Sequence, residues 1–134
     1  MNNLLTQAER DFKLIETIYC NLPEPWAIQA IMYHLQQAIE KLLKVLILLG
    51  GSKYPREHNI RGLMCLCDSA DLPSELDDLA DTLTLWEAGV RYDSCVLTSE
   101  KKLNQCIELY RQLHDTVVSK MYCVSGTNYF KDSD

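Results

Sequence analysis

The sequence predicts an all-α fold, an up-and-down bundle of about five helices. Three observations lead there. Glycine (5) and proline (4) are too scarce in 134 residues for the many turns of a sandwich or barrel. Apolar residues recur at three- and four-residue spacing along most of the chain, and no stretch keeps the strict alternation of a half-buried strand. At 47% apolar and 24% charged the composition is that of a globular domain. A chain of this length buries enough surface to fold as one unit without metals or disulfides. The pattern sets the bundle at residues 1–124. Residues 125–134 are polar and read as a frayed tail.

The first helix is expected from about Asn3 to Cys20. Leu4, Leu5, Ala8, Phe12, Ile15, Ile18 and Tyr19 share a face, and Pro23 and Pro25 stop it. The second runs from about Trp26 to Leu49. Its apolar positions fill more than half the circumference, so it touches several neighbours and is central. Its polar stripe holds His34, Gln37, Glu40, Lys41 and Lys44, with Glu40 and Lys44 a favourable i,i+4 pair. Gly50-Gly51 ends it. A third, shorter helix is expected over Ile60 to Ala70, capped by Asn59, with Leu63, Met64, Leu66 and Cys67 apolar. Pro73 suits the first turn of a fourth, ending near Val90, whose inner face is Leu76, Leu79, Ala80, Leu83 and Trp86. The fifth begins after Thr98 and carries Leu103, Cys106, Ile107, Tyr110, Leu113, Val117 and Met121. Short loops make most neighbours antiparallel.

Charge narrows the function classes. The net charge is −6, but residues 40–61 carry +3 and residues 68–93 carry −7. An acidic total disfavours sequence-blind binding of duplex DNA. It leaves room for a local anion site in the basic third. No run reaches the ~20 apolar residues of a membrane span. Charged residues interrupt positions 1–20, so no secretory signal core is present there. The six cysteines therefore read as reduced thiols packed as small hydrophobes in a cytoplasmic protein. No cysteine or histidine spacing suits a metal, so neither metal nor cofactor is expected. Gly50-Gly51 lacks the Lys-Ser/Thr of a phosphate loop, and no serine shows a nucleophile elbow.

From Tyr33 to Cys67 the chain reads YHLQQAIEKLLKVLILLGGSKYPREHNIRGLMCLC. This stretch resembles the HEPN domain (higher eukaryotes and prokaryotes nucleotide-binding). Such domains commonly carry an aromatic, a His or similar residue, then Gln-Gln-Ala-x-Glu-Lys-x-x-Lys. A Gly, a Pro and a Thr-His-Asp-Leu-like helix start follow. Tyr33, Gln36, Gln37, Ala38, Glu40, Lys41, Lys44, Gly50, Pro55 and His58 match, while Glu57 and Asn59 replace the usual Thr and Asp. Further on, Arg91 and Tyr92 match the segment that often closes the fourth helix. The likeness covers about 35 residues well and residues 1–123 in helix order.

The resemblance implies a four- or five-helix bundle that usually dimerises. Some HEPN domains are metal-independent, toxin-like ribonucleases with Arg, four to six residues, then His. Here Arg56 and His58 are two apart and Arg111 and His114 three apart, while Arg10 and Arg91 have no His at the required distance. The resemblance thus points to the non-nuclease branch, a nucleotide binder or the partner of a minimal nucleotidyltransferase, with no catalytic residues of its own. The alternative is a ribonuclease with a displaced active site, for which Arg111 and His114 are the residues to test. The anion-binding residues expected are Lys41, Lys44, Arg56, His58, Arg91 and Tyr92. The phosphate would rest on helix-three amides and on Lys44. Lys44 is expected to be exposed, so that Lys44→Glu would abolish binding and leave the fold intact.

Overall fold

In the computed structural model, residues 2–21, 25–56, 59–87 and 100–125 are described. They form five α-helices and one short 3₁₀ turn: α1 (Asn2–Asn21), α2 (Pro25–Leu49), α3 (Ile60–Met64), the turn Ser69–Asp71, α4 (Glu75–Glu87) and α5 (Glu100–Ser125). The all-α bundle expected from the spacing is the fold observed. Ser125 closes α5, so the tail expected to fray lies, from 126 on, outside the described residues, as do the last turn expected of the fourth helix and the segment carrying Arg91 and Tyr92.

Helix α2 is the centre. It packs against α1, α3, α4 and α5. Its 25 residues make a rod about 37 Å long. Ile31, Met32, Leu35, Ala38, Ile39, Leu42 and Leu43 are all at or below 2% exposure. Around it close Leu5, Ala8, Phe12 and Ile15 of α1, Leu76, Leu79, Ala80 and Leu83 of α4, and Leu103, Cys106, Leu113, Val117 and Met121 of α5. Most of the apolar faces read from periodicity are thus the core; Leu4 and Ile107 are partly buried at its edge, and the side chains of Ile18, Tyr19 and Trp86 lie outside the described residues. Helix α1 runs antiparallel to α2, since only three residues separate two helices that pack along their length. It also runs antiparallel to α5, since Glu9 meets His114 and Glu16 meets Arg111. Helices α2 and α5 are therefore parallel to each other. No helix among the described residues is long and apolar enough to cross a membrane.

The end of α2 is a Schellman motif. Ser52 N–H donates to Ile47 O (3.2 Å) and Gly51 N–H to Leu48 O (3.0 Å), with Gly51 at φ +90°. Only glycine takes that backbone without strain.

Helix α3 is shorter than expected. It stops at Met64, where Leu66 N–H and Cys67 N–H turn back to Leu63 O and Met64 O. Asp68 then caps the 3₁₀ turn through Ala70 N–H (3.0 Å). The chain leaves the core there, so Leu66 is half exposed rather than buried. The cysteines also differ from expectation. Cys106 is fully buried and Cys67 half-buried, but Cys65 and Cys123 are exposed free thiols. Burial pushes the Cys106 thiol up to about 12 and that of Cys67 to about 11, so neither is a nucleophile.

Candidate functional site

The polar stripe of α2 lies among neighbouring helices: His34, Gln37 and Lys41 are partly buried, while Glu40 and Lys44 are buried. Gln36 (0% exposed), Glu40 (2%) and Lys44 (9%) are buried one above the next. Gln37 Nε2 donates to Gln36 Oε1 (2.7 Å), and Gln36 Nε2 donates to Glu40 Oε1 (3.0 Å). Lys44 Nζ donates to Glu40 Oε2 (3.2 Å). The row converges on one carboxylate. An isolated buried charge is costly, and this arrangement leaves Glu40 with a cation and an amide instead. The expectation that Lys44 is an exposed, freely replaceable side chain is therefore corrected. Lys44→Glu would place a second carboxylate beside Glu40 in the core.

Lys41, three residues before, points into the α1–α2 seam. Its Nζ donates to Asp11 Oδ2 (2.8 Å), and His34 Nδ1 stands 3.1 Å from Asp11 Oδ1. Burial would raise the Asp11 carboxyl, but the His34 and Lys41 hydrogen bonds outweigh it and hold the group below its usual range. Lys41 is thus an internal counter-ion and not part of a surface cluster with Lys44.

Past the glycines, residues 51–56 lie exposed. They carry Lys53, Tyr54 and Arg56. Beneath them the Lys44 ammonium lies 5.3 Å from the centroid of the Tyr54 ring. The loop and the buried row therefore meet at Lys44. His58 lies outside the described residues.

The amides of α3 are already taken. Asn59 Oδ1 accepts from Arg61 N–H (2.9 Å) and Gly62 N–H (3.4 Å), while Ile60 N–H donates to Thr84 Oγ1 (3.3 Å). The expected phosphate seat on helix-three amides is corrected: a good N-cap leaves them no vacancy. Arg61 is occupied as well, gripped by Asp77 (2.8 Å) and Asp81 (3.2 Å) of α4. The acidic face of α4 neutralises part of the basic third from within the molecule.

The helix order, the Gln-Gln-Ala-x-Glu-Lys-x-x-Lys row and the glycine-ended second helix are the pattern of one family. A family model described as HEPN domain matches residues 1–121. The chain belongs to the HEPN family. Comparison with curated proteins and with solved structures returned no significant match.

In this HEPN domain Arg111 and His114 line a groove of about 440 Å³ between α1 and α5. Phe12 and Tyr110 stack at its floor, with centroids 4.2 Å apart and planes within 8°. His114 Nε2 is 2.7 Å from Glu9 Oε2, and Arg111 lies 4.0 Å from Glu16 with its guanidinium 5.2 Å over Phe12. Asp115 is a third carboxylate on the wall. His114 is thus paired across the seam, while Arg111 stays more than half exposed. Among the described residues no group of three or more His, Cys, Asp and Glu is placed to hold a metal.

Two features escaped the sequence reading. Asp11 joins His34 and Lys41 across 23 and 30 residues, which no local spacing reveals. Tyr54 is the second, an aromatic between Lys53 and Arg56 whose place over Lys44 no local spacing reveals.

Proposed function

We propose that this HEPN domain is a non-catalytic binding module that takes the phosphate groups of a nucleotide at the loop joining α2 and α3. The nucleotide is free or is held by a minimal nucleotidyltransferase partner. The observation that carries this reading is the loop itself. Lys53 and Arg56 stand exposed on it, and the Lys44 ammonium lies directly below. The other cations of the basic third, Lys41 and Arg61, are paired with carboxylates of α1 and α4, whereas Lys53 and Arg56 are exposed on this loop, which supports the reading. His58, Arg91 and Tyr92 belong to the proposal on the strength of the resemblance alone. The domain is also proposed to work as a homodimer.

The ribonuclease alternative is weakened by the α1–α5 groove. A phosphodiester there meets Glu9, Glu16 and Asp115, whereas cleavage needs a cation free to hold the scissile phosphate.

Calorimetric titration of ATP, GTP and AMP into wild type and a Lys53→Glu/Arg56→Glu variant tests the reading. Both residues are exposed, so the fold should be unaffected. Wild type should bind, the variant should not, and affinity should fall only shallowly with salt because few phosphates are neutralised. Equal binding by both proteins, or no heat with any nucleotide, rejects the loop. Metal-independent RNA cleavage lost on Arg111→Ala or His114→Ala would favour the ribonuclease instead.

A further inference from the structure

Among the described residues Leu14, Tyr54, Leu66 and Tyr122 are exposed large hydrophobics. Of these, Tyr54 is set apart by its surroundings. One face of its ring is covered by Lys44, whose ammonium is itself held by the buried Glu40. The residue is nevertheless 38% exposed. Pro55 follows it and restricts Tyr54 to extended backbone. The Schellman turn at Gly51 fixes the start of the same loop. The ring is thus backed by Lys44 on a loop whose backbone is restricted at Gly51 and before Pro55, and it is flanked in sequence by Lys53 and Arg56.

We propose that the outer face of Tyr54 is a stacking platform for a purine base. This rests on the reading of the same loop as a phosphate site and names what that site selects. A flat π surface beside cations is the arrangement by which proteins hold a base and its phosphates together. Stacking is tolerant of sequence, but a purine offers more overlap than a pyrimidine. The Lys44 ammonium lies against one face of the ring, so the opposite face is the one open to a base. Lys44 therefore acts as a positioning residue for Tyr54 from beneath the loop. The ligand class is a purine nucleoside polyphosphate, its base on Tyr54 and its phosphates on Lys53 and Arg56.

The test compares ATP, CTP and inorganic tripolyphosphate on wild type, Tyr54→Phe and Tyr54→Ala, with a thermal melt to check each fold. ATP should bind wild type and Tyr54→Phe alike, about tenfold to a hundredfold tighter than tripolyphosphate, with CTP between. Tyr54→Ala should bring ATP down to the tripolyphosphate level and leave tripolyphosphate unchanged. If wild type binds tripolyphosphate as tightly as ATP, or Tyr54→Ala binds ATP as wild type does, the platform is refuted while the phosphate site stands. If wild type binds neither, the phosphate site is refuted and the platform with it.

Discussion

Asp11 shows what a single side chain does for this domain. It is the one acceptor for two groups of α2, His34 and Lys41, and so ties the first helix to the central one. Hydrogen bonds to charged groups contribute about 1.5–3 kcal/mol each at best, so Asp11→Asn should cost about 2 kcal/mol. The pH dependence follows from the direction of its shift. The folded carboxyl titrates below the ordinary value of 3.8, so its contribution is fully present above that pH. It is lost as pH falls through the lower folded value. Thermal melts should therefore show a gap between wild type and Asp11→Asn that is open at pH 5 and closes below about pH 4. A gap that persists unchanged at pH 2 would show that Asp11 does not titrate as its partners require.

The helices themselves were legible because each buries one face, and a 3.6-residue period survives in the spacing of Leu5, Ala8, Phe12 and Ile15 or of Leu76, Leu79, Ala80 and Leu83. The central helix is where that logic stops. On an outer helix a polar stripe means solvent, but α2 packs against four helices, so Glu40 and Lys44 of its stripe are buried, with Gln36, in a row that ends on Glu40. The candidate site inherited the same error: Lys41 and Lys44 share the stripe, yet one turns to α1 and the other to the loop. Asn59, by contrast, was readable as a cap, and being a good cap is why it leaves no amide for phosphate. The helix end gives a sharp check on element geometry. A Cβ at Gly51 meets nothing within 4 Å, so Gly51→Ala is limited only by the φ of +90° and should cost about 1–2 kcal/mol. At Gly50 a Cβ makes ordinary contacts of 3.5 and 3.6 Å with Ile47 O and Leu46 O, so Gly50→Ala should be neutral or slightly stabilising. Chemical denaturation of the two variants should separate them, and equal effects would contradict the Schellman assignment.

At the scale of the whole molecule the open question is how many chains act together. HEPN domains commonly dimerise. The wide apolar arc of α2 is used up inside the protomer. Helix α5 presents Tyr122, 57% exposed, near its C-terminal end. Leu14 of α1 and Leu66 beyond α3 are the further exposed apolar groups. A homodimer would bring together two chains of charge −6. Repulsion of that size is screened within about 10 Å at 0.1 M salt. The dimer should therefore hold or tighten as salt rises, opposite to the salt response expected of nucleotide binding at the α2–α3 loop. Sedimentation velocity at tens of micromolar should give twice the 15.4 kDa chain mass. Tyr122→Glu, which adds charge and removes an aromatic ring from α5, should shift it towards monomer. A wild-type protein that sediments as a monomer at every concentration, in low and high salt, would rule the homodimer out and leave the loop site to work within a single chain.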